Sequence, residues 1–254
     1  MSAHDGSPLV LGQGSFGKVI LYKPPKSIVA QVARKIFDNR PSQAKFADQE
    51  YSIVSLLRPD PSGDDVCHSV VKLLGSGRLP AGFYNFEEGS RFIDYEYLDG
   101  PTLADIIDSG DDGISQTINT PAKLAEIVKA LVCAVHYTHK KKILHLDIKP
   151  ANIIHTRAGR TVLIDFGISQ TMYSKDLSEV RGTNGYQPPE WWNGSLPDEK
   201  YDIFSLGATF HRLLYGYSAV DTNDQLRRLE KAMKPQAKGA MARSSKQRNG
   251  TTIA

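Results

Sequence analysis

Between two strongly patterned segments lies a run in which His, Asp, Lys and Asn alternate with apolar residues: His145-Leu146-Asp147-Ile148-Lys149-Pro150-Ala151-Asn152-Ile153-Ile154. Upstream, Pro121–Lys140 has Leu124, Ile127, Val128, Leu131, Val132 and Val135 at helical spacing, with a proline suited to a first helical turn. Those apolar positions read as core. Downstream, Val162-Leu163-Ile164 reads as a short apolar strand that runs into Asp165-Phe166-Gly167.

The rest of the chain divides around Asp99-Gly100-Pro101. Before it, β-branched and apolar residues gather at Leu9–Leu11, Val19–Tyr22 and Ile28–Phe37, and again at Val70–Leu74 and Arg91–Tyr97. One helix interrupts them at Ala44–Leu57, with Phe46, Tyr51, Val54 and Leu57 marking its apolar face. A Gly-rich loop near Pro80–Ser90 separates the last two strands. After the break the pattern is mainly helical, with a second helix from about Tyr201 to Tyr215. Strands first and helices later predict an α+β fold of two lobes, a small β-rich one over about 9–98 and a helical one over about 99–220.

Composition excludes some classes. No apolar run approaches the ~18–20 residues of a membrane span, and Met1-Ser-Ala-His-Asp lacks the pattern of a signal peptide. Cys67 and Cys133 stand far apart in different surroundings and read as two reduced thiols, in keeping with an intracellular, cytoplasmic or nuclear, setting. The net charge of +3 is uneven. Residues 221–254 hold eight Lys or Arg and three acids, which leaves 23 basic and 25 acidic groups for the rest. The basic character therefore belongs to a tail that reads as solvated, with nucleic acid at most a weak partner. Within that tail Leu226, Leu229 and Met233 predict a short helix over Asn223–Lys234 that packs on the helical lobe.

Four groups of residues carry chemistry. Gly12-Gln13-Gly14-Ser15-Phe16-Gly17 is followed by Val19-Ile20-Leu21-Tyr22, a strand and not a helix. It is thus a glycine hairpin able to lay backbone N–H groups over phosphates, not a dinucleotide fingerprint. Lys35 ends an apolar strand, and Glu50 sits fifteen residues later on the following helix, in reach to hold it. Asp147 and Asn152, five apart, can aim a base at a hydroxyl and an amide oxygen at a metal, with Lys149 between them to reach a transferring phosphoryl. Asp165 supplies a hard oxygen ligand of the kind Mg²⁺ prefers.

Taken in order, these segments resemble the eukaryotic-type protein kinase family of the serine/threonine type. The resemblance runs over about residues 9–217. It extends through Gly182-Thr183-Asn184-Gly185-Tyr186-Gln187-Pro188-Pro189-Glu190 and Tyr201-Asp202-Ile203-Phe204-Ser205-Leu206-Gly207. It implies a two-lobed kinase-like fold with a shortened C-lobe, and ATP and Mg²⁺ as cofactors, with Mn²⁺ as the substitute. Gly12, Gly14, Ser15, Phe16 and Gly17 would cover the phosphates, Lys35 with Glu50 would position ATP, and Asn152 and Asp165 would hold the metal. Asp147 would orient the substrate hydroxyl, assisted by Lys149. Val19, Ala33 and Ile154 would sandwich adenine beside the gatekeeper Tyr95 and the hinge Glu96, Tyr97 and Leu98. Val54, Leu73, His145 and Phe166 would stack between lobes, and Asp202 would brace the catalytic loop. The implied partner is a protein substrate, with another subunit or partner on the shortened C-lobe. The alternative reading is a pseudokinase, a nucleotide-binding scaffold that works through a partner interface. Two departures matter: Leu146 stands where the family often has an arginine, and Pro188 replaces an alanine. Without that arginine, activity is expected not to depend on phosphorylation between Asp165 and Glu190.

Overall fold

The computed structural model describes residues 7–14, 17–25, 31–58, 67–110, 117–118, 120–174 and 182–219. Ser15, Phe16 and the helix expected over 223–234 lie outside them. The first strands, β1 (Val10–Gly14) and β2 (Gly17–Tyr22), pair antiparallel and close on Gly14 opposite Gly17. Gly17 has φ +150°, and a Cβ there would run into the carbonyl oxygen of Ile36, so only glycine lets β2 begin here. With β3 (Val32–Ile36), β4 (Leu73–Arg78) and β5 (Arg91–Glu96) they form a five-stranded antiparallel sheet in the order β1-β2-β3-β5-β4.

Strand alternation sends β3 side chains to both faces. Ala33 and Lys35 face the cleft, whereas Arg34 and Ile36 face the other side. There the loop after β4 folds back so that Phe83 and Phe86 pack on Ile20, Ile36 and Leu79. Arg34 is buried in this layer, 3.9 Å from the Tyr22 ring and 3.8 Å from that of Phe92. Its guanidinium bonds both oxygens of the cross-strand Asp94, at 2.7 and 2.8 Å. Such a pair is worth little against a packed apolar pair, but losing one member strands a buried charge. Asp94→Ala is therefore expected to cost about 3–5 kcal/mol, and the double change Arg34→Met with Asp94→Leu much less. Urea melts of the three proteins would decide it, and an equal loss in both variants would contradict this account.

Helix α1 (Pro41–Leu56) lies across the sheet and presents Ala47, Glu50, Val54 and Leu57 to it. The predicted apolar face included Tyr51, which is 37% exposed. A charged residue, Glu50, takes the centre of the buried stripe, so apolar residues alone placed the face about one position off. The strand predicted at Val70–Leu74 also shifts. Val70 instead bridges to Leu163, with Val71 N–H donating to Leu163 O at 3.0 Å and Leu163 N–H to Ser69 O at 2.8 Å.

Past the hinge, α2 (Leu103–Asp108) starts with a reciprocal cap between Thr102 and Asp105. Helix α3 (Pro121–Lys140) is capped by Thr120 and buries Ile127, Leu131, Ala134, Val135 and Tyr137. Val132, expected in the core, is 49% exposed, since it lies one position, or 100°, round from Leu131. Two small antiparallel pairs follow, β6 (Ile143–Leu144) with β9 (Gln170–Thr171) and, between them in the chain, β7 (Ile153–His155) with β8 (Thr161–Leu163). A single turn of 3₁₀ helix at Pro150–Asn152 leads into β7. Helix α4 (Pro189–Trp192) and helix α5 (Glu199–Tyr215) complete the described chain, α5 ending at Gly216 in the left-handed region. One apolar cluster runs without a break from Phe37, Val54 and Ile93 under the sheet to Leu131, Leu163 and Phe166 below it. Among the described residues no helix is long and apolar enough to cross a membrane.

Candidate active site

A cleft of about 700 Å³ lies between the sheet and the helical region, within the range of small-molecule sites. Its apolar walls include Leu11, Val19 and Ala33 from the sheet and Ile154 and Ile164 from below, with the hinge at Glu96, Tyr97 and Leu98 along one side. Gly12, Gly14 and Gly17 form part of its roof. At Gly12 and Gly14 nothing lies within 4 Å of where a Cβ would stand, so the strand passes over open space.

At the back, Lys35 Nζ bonds Glu50 at 2.7 and 3.0 Å and Asp165 Oδ1 at 2.8 Å. Burial works against the Lys35 charge, but the two carboxylates outweigh it and push its pKa well above the ordinary value. Burial moves the Glu50 carboxyl up against the pull of Lys35. At Asp165 burial acts in the same direction, yet Lys35 prevails and holds the pKa below the usual value. The Asp165 side chain remains 41% exposed, which leaves it open to the cleft. Asp165 has φ +62°, a conformation that turns this carboxylate off the strand direction. Sequence reading placed Tyr95 in the site as gatekeeper but not as the fourth member of this group. Tyr95 Oη donates to Glu50 Oε1 at 2.7 Å, and burial pushes the phenol well up.

Across the cleft, Asp147 is held on both carboxylate oxygens. Oδ1 accepts from Thr183 Oγ1 at 2.6 Å and Thr183 N at 3.1 Å. Oδ2 accepts from Asn152 Nδ2 at 2.9 Å and pairs with Lys149 Nζ at 2.7 Å. Lys149 Nζ also reaches Thr183 Oγ1 at 2.6 Å. Thr183 can come this close because Gly182 precedes it. A Cβ on Gly182 would stand 2.6 Å from both Leu146 O and Tyr201 Oη. With its amide nitrogen committed to Asp147, Asn152 offers its oxygen to a cation. Among the described residues no group of three or more His, Cys, Asp or Glu is placed to hold a metal by itself. A divalent cation here would draw two protein oxygens, from Asn152 and Asp165, and complete its shell with phosphate and water, as Mg²⁺ does.

Buried Asp202, on α5, fixes this loop from beneath. It accepts from His145 N and Leu146 N at 2.8 Å each, and His139 Nε2 lies 2.8 Å away. Leu146 has φ +68°, so these bonds hold a backbone turn that an L-residue otherwise disfavours. His145 stacks edge-on against Phe166, with centroids 4.7 Å apart. Its Nε2 donates to Ile164 O at 3.1 Å and its Nδ1 accepts from Asp147 N at 3.3 Å, so both ring nitrogens serve the backbone. Val54 shares a cluster with Phe166, and Leu73 packs against it.

Leu146 itself is buried with Leu144 and Tyr201, and Ile168, Met172 and Trp191 pack against them. Ile168 and Met172, after Asp165, are thus held by apolar contact with a cluster that includes Leu146, where an arginine would have needed a phosphate. Ser169, which falls between Asp165 and Glu190, is buried and donates to His145 O at 3.0 Å. Alanine at Thr171, Tyr173, Ser174 and Ser178 together is expected to change turnover by less than about tenfold, ~1.4 kcal/mol in barrier. A larger loss, reproduced by phosphatase treatment of the unaltered protein, would show that a phosphate orders the segment after all.

Glycine roof, Lys–Glu pair, braced loop and Asp-Phe-Gly turn on this two-part fold together match the architecture of the protein kinase domain. A family model for the protein kinase domain matches residues 8–251, and the chain belongs to that family. It is 29% identical over 209 residues to an Aurora kinase of Patiria pectinifera, covering 81% of this chain and 46% of that protein. It is 31% identical over 214 residues to the serine/threonine-protein kinase mos of the same organism, covering 81% and 55%. A probable serine/threonine-protein kinase of Streptomyces coelicolor is 28% identical over 214 residues, covering 81% and 29%. The chain therefore spans about half or less of these relatives' lengths.

Proposed function

We propose that this protein transfers the γ-phosphoryl group of ATP to serine and threonine hydroxyls of protein substrates. The observation that supports it best is the Asp147 carboxylate, held by Thr183, Lys149 and Asn152 across the cleft from the Lys35–Glu50–Asp165 group. Bound ATP with a divalent cation would supply the phosphoryl group and the charge that offsets its developing negative charge. Lys35, kept protonated by its two carboxylates, is suited to orient the α- and β-phosphates. Asn152 and Asp165 supply the cation's protein oxygens. Val19, Ala33 and Ile154 form apolar walls for a purine, with the hinge backbone at its edge. Asp147 takes up the proton of the acceptor hydroxyl, and Lys149 stands where phosphoryl oxygens would come. Because positioning and fixed charge do most of the work in this chemistry, the rigidity of these groups is what the site contributes.

Preference for serine and threonine is favoured by Lys149 and Thr183 and by the names of the relatives. Incubation with labelled ATP, Mg²⁺ and generic protein acceptors, followed by mass spectrometry, tests the reading. Phosphoserine and phosphothreonine are expected, and predominant phosphotyrosine would overturn the specificity. ATP binding with no transfer to any acceptor would instead favour a nucleotide-binding scaffold.

A further inference from the structure

Cys67 and Cys133 are 66 positions apart in the chain, yet their Sγ atoms lie 3.6 Å from each other. Nothing in the sequence signals this proximity, since Cys67 precedes β4 and Cys133 stands in the middle of α3. Both are free thiols, Cys133 exposed and Cys67 partly so. The backbone around each is anchored. Just after Cys67, Ser69 O and Val71 N bond Leu163 of β8, and β8 packs on α3. One turn beyond Cys133, Tyr137 Oη donates to Leu57 O at the end of α1, 3.1 Å away. The two sulfurs thus meet on a surface held from both sides, 3.6 Å apart where a bond needs about 2.05 Å.

We propose that Cys67 and Cys133 form a reversible disulfide that ties the segment leading into β4 to α3. The oxidant is a low-molecular-weight disulfide such as oxidised glutathione. The exposed Cys133 thiolate attacks one of its sulfurs, forming a mixed disulfide and releasing one glutathione thiolate. Cys67 then attacks the Cys133 sulfur, closing the protein disulfide and releasing the second glutathione. Two protein thiols are oxidised, one small disulfide is reduced to two thiols, and those thiols carry away the two protons. Burial pushes the Cys67 thiol up to about 11, which suits it to the second step better than the first. The closed loop from 67 to 133 contains β4, β5, the hinge and α2. Its closure restricts the unfolded chain across the junction of the two lobes.

The test equilibrates the full chain in buffers of reduced and oxidised glutathione, maps peptides without reduction, and measures melting temperature. A Cys67–Cys133 cross-linked peptide is expected under oxidising ratios, with a rise in Tm of about 5–10 °C that dithiothreitol reverses. Cys67→Ser and Cys133→Ser should melt with the reduced protein and show no rise. Mixed disulfides or chain-to-chain dimers without the internal cross-link would overturn the proposal. So would a cross-link that leaves Tm where the serine variants have it.

Discussion

Asp165→Asn and Lys35→Met are each expected to lower kcat/KM for phosphoryl transfer by about 10²–10³-fold, the size seen when a charge-stabilising group is removed from a site of this kind. Both variants should remain folded. Asparagine has the shape of the carboxylate it replaces, and Lys35 keeps Glu50 as a partner at 2.7 Å. With Lys35 gone, Glu50 can neutralise by taking up a proton, as burial already favours, and still accept from Tyr95. Steady-state kinetics beside circular dichroism separates the two effects. A variant that kept more than about a tenth of the activity, a barrier change below ~1.4 kcal/mol, would remove its residue from the proposed chemistry.

Asp202→Ala should act through stability as well as turnover. The buried carboxylate satisfies two backbone N–H groups at 2.8 Å, and one belongs to a residue in the left-handed region. Each buried donor left without a partner costs about 1–3 kcal/mol, so a loss of roughly 3–5 kcal/mol is expected, a large share of the ~5–15 kcal/mol typical of a domain. Thermal melts should show a fall of about 10 °C or more, with Asp202→Asn between the two because its amide has one accepting oxygen. A melt of Asp202→Ala within about 2 °C of the unaltered protein would mean that something else holds the loop.

The order of elements was legible because each motif brought its own local signal. Gly14 and Gly17 bracket a hairpin, Thr120 and Pro121 open α3, and Asp165 follows an apolar strand. The polar site was legible for the same reason, since Lys35, Glu50, Asp147, Asn152 and Asp165 keep fixed offsets from those signals. What stayed hidden are contacts between residues remote in sequence. Nothing near Tyr95 announces that its hydroxyl bonds Glu50, 45 positions away. Val70 carries the same β-branched signal whether it joins the main sheet or bridges to Leu163, and only the fold decides. Helix faces erred where a buried charge replaced an apolar residue, as at Glu50, because periodicity read from hydrophobicity alone cannot count it.

Asp147 also bears on how tightly an acceptor can be held. A carboxylate offers about four lone-pair sites, and here Thr183 N, Thr183 Oγ1, Asn152 Nδ2 and Lys149 Nζ take them up. An arriving hydroxyl must therefore evict an internal guest, and the obvious one is another short aliphatic alcohol, that of Thr183. The exchange is close to even in hydrogen bonds, one aliphatic O–H for another. In the proposed transfer, docking an acceptor at the reacting atom would thus contribute little to affinity, and recognition of a substrate protein would come from contacts farther along its chain.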